Sequence, residues 1–208
     1  MQNYPSFFEN VEPIALHDPL AGILGAFEGG NYEISYLEVV KAAGHSCPTV
    51  AGAYLIAQHG LKALFQDERA VRGLVAVSFS ERLEEGVAGV IANVISHITG
   101  ATDKSGFKGL SGKFARHSLM HFGVADVTAS ARFTRLDTKE SVDIFYNPQS
   151  IAADPAMMPL MQKMQSQAAT PEELAAFGAL WQDRVARIFA NSESVIAVKA
   201  VESTSAAS

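Results

Sequence analysis

Two residues near position 45 carry side chains that bind metals or act as nucleophiles. The stretch KAAGHSCPTV, residues 41–50, holds His45 and, two positions later, Cys47, the only cysteine of the chain. In an extended segment, side chains at positions i and i+2 project from the same side, so an imidazole nitrogen and a sulfur can reach one ion. The spacing therefore predicts a metal site at His45 and Cys47.

The residue after the cysteine indicates how the thiol is presented. Proline favours the first turn of a helix, which puts Cys47 at or near the N-cap of a helix that begins at Pro48. The unpaired amides and the dipole of a helix N-terminus lower the pKa of a thiol and favour the thiolate. Two other interpretations stay open. Cys47 is either a small buried apolar residue beside a hydrogen-bonded His45, or a metal-free nucleophile with His45 as its base.

A metal ion needs three or four protein ligands, or about three and a water. His17 precedes Asp18, the expected cap of the first helix, and we expect it to be the third ligand. His117 and His121 are reserve candidates. Thiolate and imidazole together suit zinc, with iron or haem as the alternative cofactor.

Polar residues on one buried helix and in the loop after it are the candidates for binding a cofactor or a small anionic ligand. The stretch GVAGVIANVISHITG, residues 86–100, is apolar nearly all round, so Asn93 stands out, and we expect His97 to line a pocket or bond in the core. The following TGATDKSGFKGLSGK has glycines and lysines without the spacing of a P-loop, and it ends at Lys113. Asn93 and Lys113 are the predicted cofactor-binding residues. We assign no catalytic residue, because no Asp or Glu stands beside His45 and Cys47.

Two separate stretches resemble one known family. AAGHSCPTVAGAYLIAQHGLKAL and VIANVISHITGATDKSGFKGLSGKFAR look like the G-H-x-C-P helix entry, and the buried helix with its Gly/Lys-rich loop, of the FmdE-like family of formylmethanofuran dehydrogenase proteins. The resemblance covers roughly residues 15–148. It implies an α+β core with a mixed sheet and a metal, often zinc, near His45 and Cys47.

The chain departs from that family at the positions where relatives carry further ligands. Where relatives have Cys, Asp and Gln along the buried helix, this sequence has Val90, Asn93 and Ser96, and the cysteine of the next loop is Ala101. Residues 151–208 contain no cysteine, so the cysteine-rich zinc ribbon of many relatives is absent. The resemblance thus implies a divergent member without a cysteine-rich site.

Composition and charge exclude several classes of function. Hydrophobic residues make up 48% and charged residues 18% of the chain, and no apolar run approaches the ~20 residues that cross a bilayer. The N-terminus has no basic segment followed by an apolar stretch, so we expect a cytoplasmic protein. A net charge of -6 without a clustered basic face argues against nucleic acid. The expected partners are a metal ion, a small anionic ligand and further copies of the chain, without membrane contact.

The hydrophobic pattern predicts an α+β fold with a mixed β-sheet and packed helices. YEISYLEVV, residues 32–40, is typical of a strand, although its end equally suits a helix start. A capping box at Thr170 predicts a helix over 171–190, and SVIAVKAV, residues 194–201, predicts a last strand. We expect an FmdE-like domain over 1–150, a helix and strand packed on it over 151–202, and a disordered tail over 203–208.

The sequence thus predicts a metal-binding or sensing role without turnover. Two alternatives use the same residues. In one, the ion keeps an open position and the protein is a metal-dependent enzyme acting on a small anionic substrate, with Lys113 holding charge. In the other, the residues bind haem or iron.

Overall fold

The computed structural model describes residues 3–202, and it has the predicted α+β fold. Within that range the helices are α1 (Pro19–Ile23), α2 (Tyr36–Ala43), α3 (Pro48–Phe65), α4 (Ala88–Thr99), α5 (Met157–Gln165), α6 (Pro171–Ala190) and α7 (Ser192–Val195). The strands are β1 (Ile14–His17), β2 (Asn31–Ile34), β3 (Ala70–Val71), β4 (Val75–Ser78), β5 (Met120–His121), β6 (Ala131–Arg135), β7 (Ser141–Tyr146) and β8 (Ile196–Val201). The predicted tail, 203–208, lies outside the described residues.

The strands form two mixed sheets. In the larger sheet the order is β5-β4-β6-β7-β8, with β4 and β5 parallel and the other pairs antiparallel. In the smaller sheet β1 lies between β2, which is antiparallel to it, and β3, which is parallel.

None of the helices over residues 3–202 combines the length and apolarity needed to cross a membrane.

The long helix α3 is the centre of the core. Cys47 is its N-cap and Pro48 its first residue, as the sequence predicts. Most of its residues are buried, because it packs between α4 and the larger sheet. At Gly52 an added Cβ would stand 2.2 Å from Cε1 of the Tyr146 ring on β7, so only glycine lets helix and strand approach this closely.

The stretch that resembled one long strand is divided between a strand and a helix. β2 ends at Ile34, and Ser35 then caps α2 through a capping box in which Ser35 and Glu38 satisfy each other's backbone amides. Two of the four unpaired amides of the helix end are thereby bonded, which outweighs the β propensity of Tyr36 and Val39. α2 ends at Gly44, whose φ of 78° is a left-handed C-cap.

The C-terminal part of the chain joins the same sheet as the rest. The capping box at Thr170 begins α6 at the predicted residue, and the helix ends at Ala190. β8 pairs with β7 from Tyr146↔Ile196 to Ser141↔Val201. The methionine-rich segment between β7 and α6 forms α5, which packs against α6.

A buried carboxylate joins three distant parts of the chain. Asp18 follows β1, caps α1, and accepts hydrogen bonds from Arg116 Nη2 at 2.7 Å and Arg72 Nη1 at 3.3 Å. Side-chain exposure is 6% for Asp18 and 8% for Arg116, so this pair is shielded from water. Arg72 also donates to the carbonyls of His97 and Ile98. The network thus fixes the C-terminal end of α4 against β1.

We predict that Asp18→Asn lowers the free energy of unfolding by about 3 kcal/mol. Asparagine keeps the helix cap, but the buried Arg116 loses its counter-charge. Chemical denaturation measures the change. The control is Asp183→Asn, which breaks an exposed pair with Arg187 and should cost under about 1 kcal/mol. A loss at Asp18 no larger than that of the control would show that the buried pair does not stabilise the fold.

Candidate functional site

A cleft of about 270 Å³ lies between α2 and α4. Most of its lining is apolar, and three polar side chains, those of His45, Asn93 and His97, open into it. The full lining is Val39, Ala42, Ala43, His45, Val90, Asn93, Val94 and His97. An apolar cleft with a few convergent polar groups is the usual form of a small-ligand site.

The imidazole of His45 is oriented by the end of α2. Its Nδ1 lies 3.1 Å from the carbonyl oxygen of Ala43, the last residue of that helix. A carbonyl oxygen only accepts, so Nδ1 carries the proton in this contact and, in the neutral ring, Nε2 keeps its lone pair. Histidines that ligate metals usually have one ring N–H held in this way by a carbonyl or carboxylate.

Asn93 and His97 lie four residues apart on α4 and therefore on the same helix face. Within residues 3–202 neither ring nitrogen of His97 has a hydrogen-bond partner, and the Asn93 amide has none either. Burial lowers the pKa of His97, and the nearby Arg72 guanidinium lowers it further. The lowered pKa favours the neutral imidazole of His97, the form that binds metals.

Cys47 has a different environment from His45. Its backbone is extended, and its Sγ accepts a hydrogen bond of 3.4 Å from the amide of Val50, so the thiol caps α3. Cys47 does not line the cleft that contains His45. It lies instead beside Ser46, whose carbonyl oxygen accepts hydrogen bonds from α6.

The two remaining predicted site residues also lie away from the cleft lining. His17 is at the end of β1, with Nδ1 3.1 Å from Oδ1 of Asn31 on β2. Lys113 is exposed in the loop between α4 and β5, where its backbone pairs with that of Leu110. Across residues 3–202, no three His, Cys, Asp or Glu side chains come together as a metal-binding group. The ligand set His17, His45 and Cys47 thus stays a prediction.

The contacts from α6 to the segment before α3 had no signal in the sequence. Trp181 and Gln182 are more than 130 residues from Ser46. The pattern of α6 shows only an apolar stripe, in which Trp181 looks like an ordinary packing residue.

The comparison with known families decides the family of the chain. Residues 42–197 match the family described as "FmdE, Molybdenum formylmethanofuran dehydrogenase operon". The chain belongs to the FmdE family. The FmdE match begins at the end of α2 and reaches into β8, so it includes α6, which the resemblance seen in the sequence did not. No curated protein matches the chain.

The capping role of Cys47 predicts how its variants change the stability of the protein. Cys47→Ala should lower the free energy of unfolding by about 1 kcal/mol, because the Val50 amide loses its acceptor. Cys47→Ser should stay close to the unchanged protein, since serine is a good N-cap. Urea unfolding compares the two variants. Equal losses in both would indicate that Cys47 stabilises the protein by packing and not by capping.

Proposed function

We propose that this FmdE-family protein binds one divalent transition-metal ion, zinc, in the cleft between α2 and α4. The proposed donors are the imidazoles of His45 and His97 and the amide oxygen of Asn93. The observation that carries the proposal is the contact of His45 Nδ1 with the Ala43 carbonyl, which leaves Nε2 free on a residue that lines the cleft.

The donor set fits a zinc ion with an open position. Zinc accepts imidazole nitrogen and side-chain oxygen, and a working zinc site has about three protein ligands and a water. The three donors are neutral, so the bound ion would keep its full charge and would attract a small anion to the open position. The apolar lining from Val39, Val90 and Val94 keeps competing water from much of the cleft wall.

Binding or sensing agrees better with this cleft than turnover does. No Asp or Glu is among its lining residues, so the cleft offers no carboxylate as general base beside the ion. The family description refers to the operon of molybdenum formylmethanofuran dehydrogenase. A metal-binding protein without its own reaction suits an accessory role beside such an enzyme.

The test is a zinc titration of protein purified without a metal-binding tag. We expect one zinc ion per chain. His45→Ala and His97→Ala should each weaken zinc binding at least ~10-fold. Removing a residue that only hydrogen-bonds to a metal ligand already weakens binding by about that factor, and removing the ligand itself should cost no less. His121→Ala, on the exposed end of β5, is the matched control, and Cys47→Ser should bind zinc like the unchanged protein.

The outcomes separate the proposed site from the alternatives. If the Cys47→Ser variant no longer binds zinc and the His97→Ala variant still does, the metal site is the His45 and Cys47 site that the sequence predicts and not the proposed one. An intense visible absorption band in the purified protein would indicate haem. No zinc bound by the unchanged protein would refute the proposal.

A further inference from the structure

Helix α6 contacts the segment that carries His45. The indole Nε1 of Trp181 donates to the Ser46 carbonyl oxygen at 3.1 Å, and Nε2 of Gln182 donates to the same oxygen at 3.0 Å. A carbonyl oxygen has two lone pairs, and both are used here. The peptide unit after Ser46 is thereby fixed by two consecutive residues of a helix far along the chain.

Two further contacts hold Ser46 and the start of α3. The Ser46 hydroxyl is hydrogen-bonded to the Tyr36 hydroxyl at 2.9 Å, a buried contact. The Tyr146 hydroxyl donates to the Pro48 carbonyl at 2.7 Å. The contacts from α6 therefore complete a set that fixes the backbone on which His45 stands.

Gln182 has an unfavourable feature that an apolar residue would lack. Its Oε1 is buried and has no hydrogen-bond partner within the described part of the chain. A buried acceptor without a partner is destabilising, and a leucine of similar volume would remove it. The bond from Gln182 Nε2 to the Ser46 carbonyl is an interaction that a leucine could not make.

We propose that α6 holds the metal site in its binding conformation through Trp181 and Gln182, which act as positioning residues for His45. This inference rests on the proposed function, because the consequence of the contact is metal affinity. The link is reciprocal: a metal bound at His45 stabilises the docking of α6 by as much as the docking strengthens metal binding.

The experiment measures zinc affinity and stability in parallel. Gln182→Leu removes both the donor and the unpartnered acceptor, and Trp181→Phe replaces the indole with an aromatic ring that has no N–H donor. Each change should weaken zinc binding about threefold and the double variant about tenfold, which corresponds to the loss of ordinary hydrogen bonds. Gln182→Leu should also keep the thermal stability of the unchanged protein or exceed it. Asp183→Asn on the exposed face of α6 is the control.

Two further measurements separate this inference from the proposed function. In metal-free protein, the nitrogen chemical shifts of the His45 ring should move from those of an Nδ1–H tautomer toward a mixture in the double variant. Zinc should slow amide hydrogen exchange in α6 of the unchanged protein. If zinc does not bind at all, the proposed function fails, while the ring signals still test the role of α6. Unchanged ring signals in the double variant would overturn the inference. A loss of zinc affinity that is fully accounted for by a loss of folding stability would overturn it as well.

Discussion

The arrangement of the candidate site depends on how the chain is held between α2 and α3. Only Gly44, His45, Ser46 and Cys47 lie between the two helices. The left-handed Gly44 ends one helix, the Cys47 thiol caps the other, and the Ser46 carbonyl accepts two hydrogen bonds from α6. With both ends and the middle fixed, the His45 ring is placed against the Ala43 carbonyl and faces the cleft.

The proposed site offers a metal only nitrogen and neutral oxygen donors. At the two positions where the resemblance implies a cysteine, Val90 lines the cleft and Ala101 is fully buried. Zinc binds thiolate sulfur, imidazole nitrogen and side-chain oxygen alike, so a zinc site does not require a cysteine. The proposed site is therefore built without sulfur donors.

Patterns among neighbouring residues were sufficient to predict the starts of the two longest helices. Pro48 and the capping box at Thr170 predicted the starts of α3 and α6, because each start is determined by a few neighbouring residues. Over 32–40 the sequence predicts a strand whose end equally suits a helix start, and the capping box at Ser35 determines where that helix begins.

The candidate site was only partly predictable. His45 and Asn93 are predicted from the sequence and both line the cleft, whereas Cys47, predicted to share an ion with His45, caps α3 and is not among the lining residues. Side chains at i and i+2 share a side only while the chain continues straight, and here α2 ends two residues before His45 and α3 starts directly after Cys47. The bonds from Trp181 and Gln182 arise from tertiary packing, which no local pattern records.

The most direct test of the proposed metal site is anomalous diffraction at the zinc absorption edge from crystals grown with zinc. The proposed site predicts one strong peak in the α2–α4 cleft, about 2.0–2.1 Å from an imidazole nitrogen of both His45 and His97. A peak bonded to the Cys47 sulfur, or no peak in the cleft at all, would contradict it.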